Sequence, residues 1–431
     1  MLRAFVNAWK VKDLRYKILF TLFIIGIYRL GAHIPLPGVD IAQLHALERQ
    51  ASQSGGIYSL INLFSGKALT QMAVFALGIM PYITSSIIMQ LLTVVIPRLE
   101  ALQKEGEMGQ KKITQYTRYM TVVLALLQSL GIIVTANNGT LFGGAIRDLF
   151  PHLTVGRTFL IVLTLTAGTS LIMWLGETIT QRGVGNGMSL LIFASIIAGM
   201  PGNATALWAS AGPGKGTVFI ALGLLIVVAV VLVEQAQRRI PVQYAKRVVG
   251  RKTYGGASTY IPMKVNQAGV IPIIFASSLL YLPVLASTII HNNWLTNFVN
   301  NNLSNNQHIS WWYVGSYFTL IIFFTYFYTA ITFNPADVAD NMKKYGGFIP
   351  GIRPGKPTSD YLSHILTRIT LPGAIFLGAI AVLPFIAQGA WKVSSFPFAG
   401  TAVLIMVGVA LETMKQIESQ LMMRHYEGFL K

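Results

Sequence analysis

The chain has 431 residues, of which 53% are hydrophobic and only 11% charged, and its mean hydropathy is +0.57. Soluble proteins carry charge on roughly 25% of their residues, so this little charge cannot cover a water-facing surface, and lipid must cover part of the fold. The net charge of +18 would suggest nucleic acid in a soluble protein, but the basic residues lie between apolar runs, where they report topology and a cytosolic partner.

A membrane-crossing helix needs about 20 residues. Apolar runs lie at 18–34, 72–96, 119–136, 157–176, 188–201, 217–233, 267–290, 311–333, 369–388 and 398–412, the fifth and tenth being short and rich in Gly. Basic Arg3–Lys17 precedes the first run, and no small-residue cleavage site follows it, so the run is expected to stay as a span rather than leave as a signal peptide. With the N-terminus inside, 26 of the 33 Lys and Arg fall on the cytoplasmic side and 7 on the outer side. Orientation follows that excess. The expected fold class is all-α, with ten transmembrane helices and both termini cytoplasmic. Removing any one span would put later loops on the wrong side.

Between the first two runs, Gly55–Lys67 carries Ile57, Leu60, Ile61 and Phe64 at helical spacing. It is too short and polar to span. Pattern alone leaves two placements open, an interfacial helix on the outer surface and a re-entrant helix packed inside. Further on, Gly78–Ser86 in the second run and Gly269–Ser277 in the seventh both read G-x-x-P-x-I-x-x-S. These are the second runs of two sets of five, so the halves would be inserted in opposite directions, as in many transport proteins. Pro and Gly loosen a helix, which is tolerated where it lines a cavity, although both are also simply common in membrane helices.

Chemistry-bearing constellations are sparse. The seven His are scattered, and no H-x-x-x-H pair occurs. The absence of cysteine excludes disulfides, thiolate metal sites and a cysteine nucleophile. No metal site, cofactor or catalytic residue is expected. Gly212–Thr217 fails the spacing of a phosphate loop. No carboxylate is expected at mid-depth, which argues against an ion-coupled transporter, and no buried pair suits an intramembrane hydrolase. Two cytoplasmic loops are long and basic: Glu234–Lys264, where Ile240, Val242 and Tyr244 alternate as in a hairpin strand, and Asn334–Arg368. Loops of that length usually carry function, and their charge suits an acidic partner such as RNA or a negative protein face.

The stretches Ile34–Gly38, Phe75–Tyr82, Lys112–Tyr119, Met173–Glu177, Arg182–Gly187, Phe333–Pro335, Ala339–Asn341 and Phe348–Gly355 together resemble the SecY family, which forms the pore of the bacterial protein-translocation channel, and they cover nearly the whole chain in order. The resemblance implies two inverted halves, 1–201 and 202–431, around an hourglass pore in the cytoplasmic (inner) membrane. It places Ile79, Ile83, Met188, Ile192, Ile274 and Ile405 in the pore constriction, Met188 departing from the usual isoleucine. It reads 55–67 as the plug, and the second and seventh spans as a lateral gate with polar Thr84, Ser86, Gln90, Asn266, Gln267 and Ser277. The loops at 234–264 and 334–368 become the docking surface for the SecA motor and the ribosome, through Lys246, Arg247, Arg251, Lys252 and Arg353. The implied partners are the small membrane subunits SecE and SecG, preproteins bearing signal sequences, and the lipid bilayer.

Overall fold

The computed structural model describes residues 9–40, 65–137, 150, 154–244, 247–249, 252–254, 258–289, 293–299, 302, 310–391 and 400–428. The first helices are α1 (Lys12–Gly31), α2 (Met80–Val95), α3 (Pro97–Lys104), α4 (Glu107–Asn137), α5 (Val155–Arg182) and α6 (Gly187–Gln235). Strands β1 (Gln237–Tyr244), β2 (Arg247–Val249), β3 (Lys252–Tyr254) and β4 (Ser258–Lys264) follow. Next come α7 (Ile271–Ile289), α8 (Asn293–Phe298), α9 (Trp311–Thr332), α10 (Pro335–Lys344), β5 (Gly347–Phe348), α11 (Lys356–Trp391) and α12 (Gly400–Gly428).

Each of the ten apolar runs holds a helix, but the boundaries differ from expectation. The second run begins at 72, yet α2 starts at Met80, because Met72 (φ 40°) and Gly78 (φ 57°) break the preceding backbone into turns. The fifth and sixth runs form one helical stretch broken at Gly212 (φ 75°, ψ 167°). The tenth run is not short: α12 has 29 residues and continues well past the apolar segment. The short apolar helices are instead Gly187–Gly202 and Ile271–Leu280. Among the described residues, six helices are long and apolar enough to cross a membrane unaided. The pair α2 and α3 would add a seventh but bends by 99° at Ile96, where Pro97 opens the next helix.

The departure from an all-α fold lies at one end. Strand β1 pairs antiparallel with β4 from Gln237↔Lys264 to Gln243↔Ser258, and with β5 through Gln243↔Phe348 and Tyr244↔Gly347. The alternation that suggested a strand is real: Ile240 and Val242 are buried, while Tyr244 points outward. They close a small core of their own with Met263, Met342, Ile349, Leu362, Ile365 and Leu366. The two long loops are therefore one folded body.

A larger apolar cluster runs through α1, α2, α4, α5, α6, α7, α9, α11 and α12. Helix α7 packs against α2 and α4 on one side and α9 and α11 on the other. Outward faces are apolar as well, as at Leu224, Leu225, Val228 and Leu232 of α6. Exposed Trp294, Trp311 and Trp312 gather near the start of α9, where an aromatic belt would meet a lipid interface.

Glycines let backbones meet. A Cβ on Gly373 of α11 would stand 2.5 Å from the Val265 carbonyl oxygen, whereas one on Gly269 (φ 62°) or on helical Gly315 would meet open space. Gly269→Ala therefore costs backbone strain alone, roughly 1 kcal/mol, and Gly373→Ala adds a collision with backbone that cannot rotate away. Thermal midpoints of the purified protein in detergent should fall in the order Gly315→Ala, Gly269→Ala, Gly373→Ala, with the first near wild type. Equal midpoints for all three would remove this account of the glycines.

Candidate functional site

The repeated G-x-x-P segments share one backbone solution. Gly78 (φ 57°) and Gly269 (φ 62°) are both left-handed. Both precede by two residues the first residue of a helix, Met80 of α2 and Ile271 of α7. Pro81 and Pro272 then fall in the first helical turn, where a missing N–H costs nothing. Ile83 and Ile274 follow the two glycines by five residues, one turn inside each helix, and both are buried. Ile79 is the N-cap residue of α2 and is 1% exposed.

The fifth and tenth runs show a second correspondence. Gly187 opens α6 and Gly400 opens α12. A Cβ on Gly187 would overlap the carbonyl oxygen of Gly176 in α5, and one on Gly400 would overlap that of Ile380 in α11. Each glycine is again followed five residues later by a buried isoleucine, Ile192 and Ile405. Thus Ile79, Ile83, Ile192, Ile274 and Ile405 belong to one apolar cluster. Met188 packs against that cluster, but its Sδ lies over Gly176, where a Cβ would stand 2.5 Å away. Its side chain is thus engaged with α5.

Helices α2 and α7 pack against each other, and the polar residues singled out above lie on them or just before α7. The Thr84 hydroxyl donates to the Met80 carbonyl at 2.9 Å, and the Ser277 hydroxyl to the Ile274 carbonyl at 2.9 Å. The Asn266 amide donates to the Glu234 carboxylate and to the Gly269 carbonyl. These groups satisfy themselves on their own side of the seam. Among the described residues, the buried Asn266 Oδ1 and Gln267 Oε1 meet no hydrogen-bond partner. Ser86 is half-buried and Gln90 exposed.

The plug residues Ile57, Leu60, Ile61 and Phe64 lie outside the described residues. The chain that follows them is anchored to α1, where Arg29 Nη1 donates to the Gly66 carbonyl at 3.0 Å; next to Arg29, Tyr28 ties α1 to α6 through a 2.6 Å hydrogen bond with Ser195.

At the sheet-bearing end, Arg353 is exposed on a loop shaped by left-handed Gly351 (φ 84°) and Gly355 (φ 104°), and the Thr358 hydroxyl donates to its carbonyl at 2.8 Å. Arg247 and Lys252 sit on the β2–β3 hairpin, opposite Tyr254 and Val249; Lys246 and Arg251 lie outside the described residues. Arg238 and Arg239, part of the basic loop but not among the expected contacts, are exposed on β1, the latter 4.9 Å from the ring of Tyr260 on β4. Sequence reasoning missed a forked ion pair between spans, Arg118 Nε to Glu177 Oε1 at 2.8 Å and Nη2 to Oε2 at 2.7 Å. Among the described residues, no three His, Asp or Glu side chains gather as a metal site would need.

Comparison with known proteins fits this arrangement. The SecY family model matches residues 73–414. The protein translocase subunit SecY of Streptomyces galbus is 57% identical over 444 residues, covering 100% of both chains. The same subunit of Mycobacterium tuberculosis is 57% identical over 443 residues, again across 100% of both. In fold, a solved protein-conducting channel aligns with a TM-score of 0.65 at 17% identity, covering 94% of this chain and 91% of its own. Sec61 from a canine ribosome–channel complex aligns with a TM-score of 0.62 at 16% identity, covering 94% and 91%. On full-length identity to these translocase subunits, the chain belongs to the SecY family.

Proposed function

We infer that this chain is the pore-forming subunit of the Sec preprotein translocase, a channel rather than an enzyme, passing unfolded polypeptides across the bacterial cytoplasmic membrane. The observation that carries this is the placement of Ile83, Ile192, Ile274 and Ile405, each five residues after a glycine that permits a break or a close backbone approach, in one buried cluster. An apolar constriction holds little water and resists ions when closed, and side chains without directed bonds yield to a peptide of any sequence. The constriction comprises these four with Ile79, and Met188 at its edge against α5. The two halves, 1–201 and 202–431, contribute corresponding elements, which the paired glycines support. Segment 55–67 acts as the plug, tethered where Arg29 holds Gly66.

The seam between α2 and α7 is the lateral gate. Opening it breaks apolar contacts but leaves the bonds of Thr84, Ser277 and Asn266 intact, since each is made on one side. An incoming apolar signal sequence replaces the lost contacts and can then move into lipid. Cysteines at Ser86 and Ser277 test this in a chain with no cysteine of its own. Oxidised, the pair should stop export of signal-bearing substrate into vesicles, and reductant should restore it. Full export through the oxidised channel would refute the gate.

The excess of Lys and Arg, 26 to 7, supports cytoplasmic termini and a cytoplasmic sheet. That body docks the SecA motor or the ribosome, with Lys246, Arg247, Arg251, Lys252 and Arg353 as contacts, while SecE and SecG complete the membrane complex. Arg353→Glu should lower SecA-driven export about ten-fold or more, a loss of about 1.4 kcal/mol or more of binding, with an unchanged thermal midpoint. Unchanged export would remove Arg353 from the contact surface.

A further inference from the structure

Among the described residues, three ion pairs differ in kind. Lys104–Glu100 and Lys111–Glu107 join residues one helical turn apart in exposed positions. Arg118–Glu177 bridges 59 positions of sequence, links α4 to α5, and is bidentate, at 2.8 and 2.7 Å. Its carboxylate side chain is only 17% exposed. A forked guanidinium–carboxylate pair fixes orientation as well as distance. A third residue meets the pair: Tyr82 of α2, one position before Ile83, lies within electrostatic reach of both charges.

The packing shows what this pair controls. Helix α4 packs on α5 and on α2, and both α4 and α2 also meet α7. If α4 were free to follow α7, the seam between them would not be the one that parts. We propose that Arg118 and Glu177 are positioning residues for the gate: their ion pair clips α4 to α5, and with Tyr82 beside it holds α2 and α4 as one wall against which α7 closes. This rests on the reading of the α2–α7 seam as the lateral gate. Removing the clip lets the wall relax, so the closed seam loses its fit and the channel admits chains that carry no signal sequence. Each residue acts through the wall and need not touch the passing chain.

The test uses the complete translocase in membrane vesicles and measures export of one substrate with and without its signal sequence. Arg118→Ala and Glu177→Ala should each raise the ratio of signal-less to signal-bearing export by about five-fold or more, the range of ordinary site-to-site coupling. The exchange Arg118→Glu with Glu177→Arg should bring the ratio back towards wild type. Arg118→Lys, which keeps the charge and loses the fork, should give an intermediate ratio, and it decides the matter should the exchange variant fail to accumulate. If the pair only stabilises the fold, thermal midpoints fall and both exports fall together. An unchanged ratio in the Ala variants therefore overturns the proposal. Adding the Ser86–Ser277 disulfide to Arg118→Ala separates the two readings. Loss of both exports on oxidation supports the seam as the route. Signal-less export that persists through the oxidised seam overturns the gate itself, not the clip alone.

Discussion

Everything at the centre of this protein depends on backbones approaching more closely than side chains allow. Gly187 and Gly400 open α6 and α12 against the carbonyl oxygens of Gly176 and Ile380, where a methyl group would overlap the oxygen. A carbonyl inside a helix cannot swing away, since it is bonded into the i→i−4 ladder. In lipid, helices gain little from hydrophobic association and depend on such close contact instead. Gly78 and Gly269 meet the same need by another route. Their left-handed φ ends the incoming chain and starts α2 and α7 afresh, so that both helices begin inside the protein rather than at a membrane surface. Four helix starts are thereby brought into one apolar cluster, each with an isoleucine five residues after its glycine.

The seam beside that cluster is held by contacts of a different character on each side. On one side, α4 is tied to α5 by two charge-assisted hydrogen bonds. On the other, α7 is tied to α9 by rings, Phe275 lying edge-on to Phe324 at 5.5 Å and to Tyr328 at 6.3 Å. Across the seam itself, the described hydroxyls of Thr84 and Ser277 are already committed to their own helices. Dispersion contacts are individually small and can be replaced one for one by another apolar surface, whereas a buried hydrogen bond must be remade at once or cost about 1–3 kcal/mol. On the gate reading, directed bonds within each side favour this seam as the surface that parts.

Much of this was legible in the sequence. Each of the ten hydropathy runs holds described helix, because apolar runs of that length have few other stable homes. The repeat of Gly, Pro, Ile and Ser located the paired helix starts, because left-handed φ and a first-turn proline each demand one residue type. What hydropathy could not see was where helix outlasts lipid. The last helix runs to Gly428 because Glu412, Lys415 and Glu418 are good helix formers that leave the apolar window without ending the helix. The joining of two loops into one sheet was also hidden. Pairing of Tyr244 with Gly347 spans more than a hundred residues, and a two-residue strand has no periodicity to read. Arg118 and Glu177 were visible only as members of conserved-looking stretches, since nothing local to either says that the other stands 2.7 Å away.

The sheet also has a mechanical place in the fold. Strand β1 begins two residues after α6 ends, and β4 ends seven residues before α7 begins. The two junctions are fastened to each other, by the Val265 amide donating to the Ala236 carbonyl at 3.0 Å and by the Asn266 amide on the Glu234 carboxylate. Behind them, the backbone of Val265 is pressed against Gly373 of α11. On the docking reading, a partner on the sheet acts on the first turn of α7 through a short, hydrogen-bonded path that ends at left-handed Gly269. The Gly269 carbonyl accepts from Asn266 Nδ2 at 3.1 Å, so the amide that holds Glu234 also holds the turn into α7. The element that receives the motor and the element that leaves the seam are then joined through the one Asn266 side chain.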